Sequence, residues 1–399
     1  MQTEVLLLTN GHGEDELGAL LAREVMRAAP AVRVWAFPLV GEGGAYRRAE
    51  LPVIGVQKVM PSGGFILKAA RNFAADVRAG LLGLVRRQWA YLRGERGRFH
   101  WTIALGDVYP LVLAAFAVRR PLVFVPTAKS EYIAGHYGWE IRLMRRCARK
   151  VYPRDEKTAA ALRSAGVNAE FVGNLMMDAV GDEPLPCDLP AGRKVVAFLP
   201  GSRADAYVNL VDLLQVAAEL PSHVALLLSL APSLDVAEVA RVAAAQGWQV
   251  SELRNGEGAR CGLRLASGER EIAAVQGRFG GILRRADVVV GLAGTGNEQA
   301  AGLGRPVVAF PGRGMQFTRR FAEAQKRLLG EAVSLVAREP KVVAQEVARL
   351  LEDPELYRRK AREGMRRMGP PGAGRRMAQD ILAVMSGVPP ATRSYTRGT

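Results

Sequence analysis

Two stretches of this chain carry residue types suited to holding a phosphate. The longer is Gly291, Leu292, Ala293, Gly294, Thr295, Gly296, Asn297, Glu298 and Gln299. It falls between an apolar run at 287–290 and a helical pattern that continues over 300–303. Glycine lets a backbone approach a ligand closely. A helix start then offers unpaired N–H groups and the positive end of the helix dipole, which together favour an anion. Glu298 or Gln299, in the first turn of that helix, is placed for ribose hydroxyls. The second stretch is Leu199, Pro200, Gly201, Ser202 and Arg203, where the apolar run 195–199 ends in glycine, serine and arginine. A glycine turn alone also serves plain chain reversal. Two of them at strand ends of one sheet point to a nucleotide-diphosphate crevice.

The elements that must position these turns alternate twice over between strand and helix. In the first half, apolar runs predict strands at 4–9, 33–37, 52–57, 102–105, 122–126, 150–152 and 170–172. Helical spacing covers 14–29, part of 64–92, 110–118, 139–148 and 155–165, with Gly166 as a C-cap. A proline-rich and acidic stretch over 181–190 reads as a linker. A second α/β set follows, with strands at 195–199, 224–230, 249–250, 287–290, 307–310 and 333–335. Asp353 and Pro354 have the character of a helix N-cap and first-turn proline. Residues 262–273 alternate around Ser267 and Gly268 and read as a hairpin insertion of no evident purpose. Apolar strands separated by helices imply parallel sheets covered on both faces. Ligand would then sit at the strand C-termini.

Composition excludes several classes. With 399 residues, 49% apolar and 24% charged, the chain is long enough for two globular domains and is not of a disordered type. No apolar run approaches the roughly 20 residues of a membrane span. The first strand follows the N-terminus with no basic segment ahead of it, so no leader is expected. Cys147, Cys187 and Cys261 are odd in number and scattered, as are four histidines. Neither a disulfide frame, a metal site nor a cofactor is indicated.

The formal net charge is +16, carried mainly by arginine. Such a protein is drawn to phosphates of nucleic acid or of anionic lipid, and no nucleic-acid module accompanies the charge. Between residues 65 and 98, basic and apolar residues interleave at helical spacing. Phe65, Ile66, Lys68, Arg71, Phe73, Arg78, Arg86, Arg87 and Trp89 are the candidates for a membrane-touching surface. The alternative is an amphipathic helix packed on a sheet, with a solvated arginine face.

Six short motifs stand in order along the chain, at 10–18 after the first strand, 105–110, 171–178, 199–203, 294–299 and 314–318. On these the chain resembles the two-domain GT-B glycosyltransferases, in particular lipid-A-disaccharide synthase and its related bacterial proteins. The resemblance runs from the first strand to about residue 376. It implies two Rossmann-like domains with parallel sheets facing a central cleft. The expected boundaries are 1–182 for the acceptor domain, 183–192 for a linker and 193–368 for the nucleotide-sugar domain. A helix at 369–386 is expected to return to the first domain, and 387–399 is expected to be a flexible tail.

The same resemblance implies roles for residues. Gly201, Ser202 and Arg203 would hold the donor diphosphate, with Gly294, Thr295, Gly296 and Asn297 making the second phosphate contact. A guanidinium there would neutralise the pyrophosphate as it leaves. The family's ribose-binding glutamate aligns with Gln299, with Glu298 one residue early. Glu298 is favoured for its charge. Gln316, Phe317 and Thr318 would open a helix near the nucleotide, or simply cap it. Asp107 is the first candidate for the general base on the acceptor hydroxyl, the alternative being a helix cap. His12 and Asp15 are candidates for the same role or for acceptor binding. Gly11, Gly13, Glu14, Lys129, Ser130 and Asn174 would line the acceptor side, with Asn174 able to serve as a hinge contact instead. For Glu14 and Asp15, favourable charge in a helix first turn is the simpler reading.

The activity implied is inverting transfer of a GlcNAc-type sugar from a UDP-sugar to a lipid-linked acceptor. It would take place in the cytoplasm, on the inner face of the cytoplasmic membrane with its anionic surface. Two other readings stand beside it: a UDP-sugar 2-epimerase, and a non-catalytic envelope protein that binds lipid or nucleotide. The sequence leaves the oligomeric state open, with a homodimer among the options.

Overall fold

The computed structural model describes residues 2–57, 80–190 and 192–387; the side chain of His12 is outside the description. The chain divides into two compact units. One comprises Met1–Ala179 and Pro371–Thr399, the other Val180–Pro370.

The first unit opens with β1 (Thr3–Thr9), α1 (His12–Ala28), β2 (Val32–Pro38), α2 (Gly44–Arg48), α3 (Leu81–Glu95) and β3 (Trp101–Gly106). It continues with α4 (Val108–Leu113), a π-helical turn Ala114–Val118, β4 (Leu122–Pro126), α5 (Gly138–Cys147), β5 (Ala148–Val151) and α6 (Glu156–Ser164). The five strands form one sheet in the order β2-β1-β3-β4-β5, and every pair in it is parallel. Successive strand residues point to opposite faces, which divides β1 between two cores. Val5 and Leu7 join Val34, Ile103 and Val123 on one face; Leu6 and Leu8 join Phe37, Ala104 and Phe124 on the other. Both faces are dry, so the strands read as continuous apolar runs.

The second unit contains β6 (Val195–Leu199), α7 (Asp205–Glu219), β7 (Ala225–Leu230), α8 (Val236–Ala245), β8 (Gln249–Arg254), β9 (Arg260–Ser267), β10 (Arg270–Gln276) and α9 (Phe279–Arg285). Then come β11 (Val288–Gly291), α10 (Thr295–Gly302), β12 (Val307–Ala309), α11 (Arg319–Leu329), β13 (Val333–Leu335), α12 (Pro340–Glu352) and α13 (Pro354–Met368). Its eight strands run β13-β12-β11-β6-β7-β10-β9-β8. The last helix, α14 (Ala373–Ser386), belongs to the first unit. There Met377, Ala378 and Ile381 are buried in the same core as α1.

Three expectations are corrected. Residues 52–57 form no strand; only Val53 bridges Ala36, because Pro52 lacks an N–H and Gly55 turns away at φ 86°. Residues 170–172 likewise form no strand. Ala169 makes one bridge to Val151, and Gly173 at φ 105° ends the extended run. The hairpin over 262–273 exists, but it is no insertion. Its second arm, β10, pairs parallel with β7 inside the sheet, while β9 pairs antiparallel with β10 and β8. The cap signals hold: Asp353 accepts from Glu355 N and Leu356 N at 3.0 and 2.9 Å, and Gly166 follows α6 at φ 79°.

Candidate functional site

Strands β6 and β11 are neighbours in the second unit, with Leu199 in register with Gly291. The Leu292 N–H donates to the Leu199 carbonyl at 2.8 Å, so the two glycine turns leave the sheet side by side. Gly201 sits at φ 108°, where a side chain would be strained. At Gly291 the constraint is steric: a Cβ would lie 1.9 Å from Asn297 Oδ1. Ser202, Arg203 and Thr295 are exposed and Gly296 is half-buried. The Ser202 carbonyl accepts from Ser233 Oγ at 2.7 Å. Gly294 is the N-cap of α10, so the peptide N–H groups of Thr295, Gly296 and Asn297 start that helix without an intrahelical partner. Together these features form a surface able to receive an anion at two adjacent strand ends.

The remaining donor-side residues take different positions. Asn297 is fully buried, Glu298 is 9% and Gln299 5% exposed. Thr318 caps α11, accepting from Phe321 N at 3.3 Å. Phe317 is buried, its ring centre 5.5 Å from that of Phe321 with the two planes tilted by 60°. Gln316 is exposed, and its N–H donates to Asp205 Oδ2 at 2.8 Å. Asp205 begins α7, just after Arg203, so the 312–318 loop is tied to the rim of the Gly201 turn. Arg313 in that loop pairs with buried Asp212, its Nε and Nη2 both donating to Oδ1 at 3.0 and 2.7 Å and Nε also reaching Oδ2 at 3.2 Å.

In the first unit the carboxyl ends of β1, β3 and β4 converge. Gly11 is the N-cap of α1, His12 and Gly13 open the helix, and Asn10 Oδ1 accepts the Asp107 N–H at 3.3 Å. Asp107 is half-buried and caps α4, its Oδ1 accepting from Tyr109 N at 2.8 Å. Burial, and then the Asp107 carboxylate, push the Tyr109 phenol well up. Thr127 Oγ1 reaches Glu14 Oε1 at 3.5 Å. Asp15 is 3% exposed and accepts from Thr9 Oγ1 at 2.6 Å, which in turn accepts from Tyr46 OH at 2.8 Å. That burial ties Asp15 to the scaffold beneath the turn.

Lys129 Nζ donates to both Glu140 oxygens at 2.7 Å and lies 3.8 Å from the Tyr137 ring centre. Ser130 is buried, its Oγ accepting from Tyr132 N at 3.2 Å. Asn174 is also buried; it donates to the Arg154 carbonyl at 3.2 Å and accepts from Met176 N at 3.0 Å. Of the acceptor-side set, the structure thus gathers residues 11–14 and Asp107 at one edge, whereas Ser130 and Asn174 brace loops.

Among the membrane candidates, Phe65, Ile66, Lys68, Arg71, Phe73 and Arg78 lie outside the described residues. Arg86, Arg87 and Trp89 are on α3, which buries Leu81, Leu84, Gln88 and Leu92. Arg86 and Arg87 are exposed, Trp89 is half-buried against the core, and Leu82 is 67% exposed. Leu82, Val85, Arg86, Trp89, Ala90 and Arg93 line a shallow groove. Among the described residues no helix is long and apolar enough to cross a membrane.

Reading the sequence missed Asn10, Asp205 and the Asp212–Arg313 pair. Only Asn10 carried a signal, as part of the first turn motif; the others act through tertiary placement.

No family model matches this chain, and no curated protein matches it. Solved structures do. The calicheamicin glycosyltransferase CalG4 is 16% identical over 98% of this chain and 100% of its own, with a TM-score of 0.64. A UDP-N-acetylglucosamine 2-epimerase is 12% identical over 99% and 100%, with a TM-score of 0.60. The UDP-GlcNAc 2-epimerase of Neisseria meningitidis, solved bound to UDP-GlcNAc, is 13% identical over 95% and 100%, with a TM-score of 0.56. At these identities the likeness is one of fold. The chain has the GT-B fold, two α/β units, the first on a parallel sheet and the second on a sheet that is parallel from β13 to β10 and antiparallel at β9 and β8.

Proposed function

We propose that this protein is a glycosyltransferase that takes a sugar from a UDP-linked donor and passes it to a lipid-linked acceptor, with inversion. The observation that carries the reading is the pair of glycine turns at the ends of adjacent strands β6 and β11, the second running into the N-terminus of α10. Backbone N–H groups and the exposed Arg203 guanidinium supply what a departing pyrophosphate needs. A UDP-sugar enzyme of the same fold supports uridine as the nucleoside. Asp107 is the proposed base, and Glu298 or Gln299 the ribose ligand. Arg203→Ala is expected to weaken UDP binding by about 1.5–3 kcal/mol, the range for a hydrogen bond to a charged group. Calorimetric titration measures it, and a wild-type protein that binds no uridine nucleotide ends the reading.

The lipid acceptor rests on α3, where exposed Leu82 and half-buried Trp89 sit among Arg86, Arg87 and Arg93. We place this face on the anionic inner leaflet, where each basic residue near the surface adds about 1 kcal/mol. Arg86→Glu with Arg87→Glu should abolish co-sedimentation with phosphatidylserine vesicles while leaving UDP binding intact. Equal sedimentation of both proteins removes the membrane claim.

A UDP-sugar 2-epimerase is the second reading, favoured by the epimerases among the matched folds. Incubation with UDP-GlcNAc alone separates the two, since only an epimerase yields the C2 epimer of the sugar, whereas a transferase without its acceptor can at most hydrolyse the donor.

A further inference from the structure

A glycine-rich turn is not an anion site by composition alone, because each of its peptides carries a carbonyl as well as an N–H. The turn attracts phosphate only when the carbonyl oxygens face away from it. In the second unit the carbonyls of Gly291, Ala293 and Gly294 are held by buried carboxamides. Asn297 Nδ2 donates to the Gly291 carbonyl at 3.0 Å and to Gln325 Oε1 at 2.8 Å. Gln325 Nε2 donates to the carbonyls of Ala293 and Gly294 at 3.3 and 2.8 Å. On the neighbouring turn, Asn209 Nδ2 donates to the Pro200 carbonyl at 2.9 Å.

Gln325 is 3% exposed, Asn209 2%, and Asn297 fully buried. Both N–H bonds of the Asn297 and Gln325 amides are used, so neither amide can flip without setting like against like. The network is neutral and adds no charge that would compete with a ligand.

We propose that Gln325, acting through this network, is a positioning residue for an anion-binding turn: it draws the Ala293 and Gly294 carbonyls inward. The N–H groups that open α10 are thereby left to a diphosphate. The proposal rests on the nucleotide-sugar reading above, and it assigns a part to a residue outside the glycine motifs, on the helix that packs behind them. The Gly294 carbonyl also accepts from Glu298 N at a long 3.4 Å, so the Gln325 bond at 2.8 Å is the shorter of the two that hold this glycine peptide.

The test is titration of UDP and of uridine into the wild type, Gln325→Glu and Gln325→Met, with melting curves for each. Both substitutions remove the amide donors; the first also sets carboxylate oxygens against the two carbonyls. At about pH 8, UDP affinity is expected to fall by about tenfold or more in both variants, equivalent to about 1.4 kcal/mol. Uridine affinity should change by less than about twofold, since the nucleoside has no phosphate to lose. A buried carboxyl takes up its proton more readily than an exposed one. Lowering the pH to about 5.5 should therefore restore UDP binding in Gln325→Glu, whose protonated carboxyl again donates, and leave Gln325→Met weak.

Unchanged UDP affinity in the variants, or equal loss of UDP and uridine, overturns the positioning role. If Gln325→Glu does not melt cooperatively, Gln325→Met carries the comparison alone. A wild type that binds no UDP removes the nucleotide reading and this proposal with it, so the two failures are read in different arms.

Discussion

The Asp107 Oδ1 atom accepts the Tyr109 N–H at 2.8 Å, so substitution there acts on α4 as well as on any proton transfer. The two effects can be separated. Asn keeps an oxygen for the cap, and Asp107→Asn should melt close to the wild type while transfer falls by about 10²–10⁴-fold, the usual scale for a lost general base. Asp107→Ala loses the cap as well, and should lower stability by about 0.5–2 kcal/mol. Transfer at the wild-type rate in Asp107→Asn would reduce this residue to a cap. At this scale the sequence was readable where backbone geometry dictates residue type. Gly201 at φ 108° and Gly291 against Asn297 are such places. Gln325 was unreadable, because a glutamine on a helix says nothing of the carbonyls it will meet from another element. The choice between Glu298 and Gln299 stayed open for a related reason, since both are buried in the same helical turn.

At the scale of elements, strands buried on both faces announced themselves as apolar runs, as 122–126 and 195–199 did. The edges did not: 52–57 is apolar enough for a strand, yet Pro52 and Gly55 leave it one bridge. β10 was misread because its Ser267–Gly268 turn looks like any hairpin, and only the β7 partnership makes it central. Helix α13 offers a further test. Lys360 on it is buried, donating to the Glu331 carbonyl and Ser334 Oγ at 2.9 and 2.8 Å. Burial, and then the nearby Lys326 ammonium, bring its ammonium from 10.5 down to about 8. Between those two values the unfolded chain keeps a proton that the folded chain has released, so this lysine's contribution to stability rises with pH through that window. Below it both states are protonated, and the folded state carries the cost of a buried charge. Lys360→Met lacks the window. Denaturant melts should show the wild type gaining on the variant from about pH 8 to about pH 10.5; a constant difference would show that Lys360 titrates as in the unfolded chain.

At the scale of the molecule, charge and chain path matter most. A net charge of +16 was visible at once, but not where on the fold it would be displayed. The chain leaves the first unit after Ala179 and re-enters it at Pro371. Its closing helix supplies Met377, Ala378 and Ile381 to the α1 core, and Asp380 Oδ2 accepts from Tyr152 OH at 2.6 Å. Ile381→Ala should therefore cost about 2–5 kcal/mol in the first unit's stability. During synthesis this path reverses the usual order, in which the N-terminal domain folds first. The stretch Val180–Pro370 has all of its own strands once residue 370 has emerged from the ribosome, whereas the residues made earliest must wait for the last helix to complete their core. Nascent chains cut at residue 370 and extended by an unstructured linker long enough to clear the ribosome exit tunnel should yield a protease-resistant second unit beside a digestible first one.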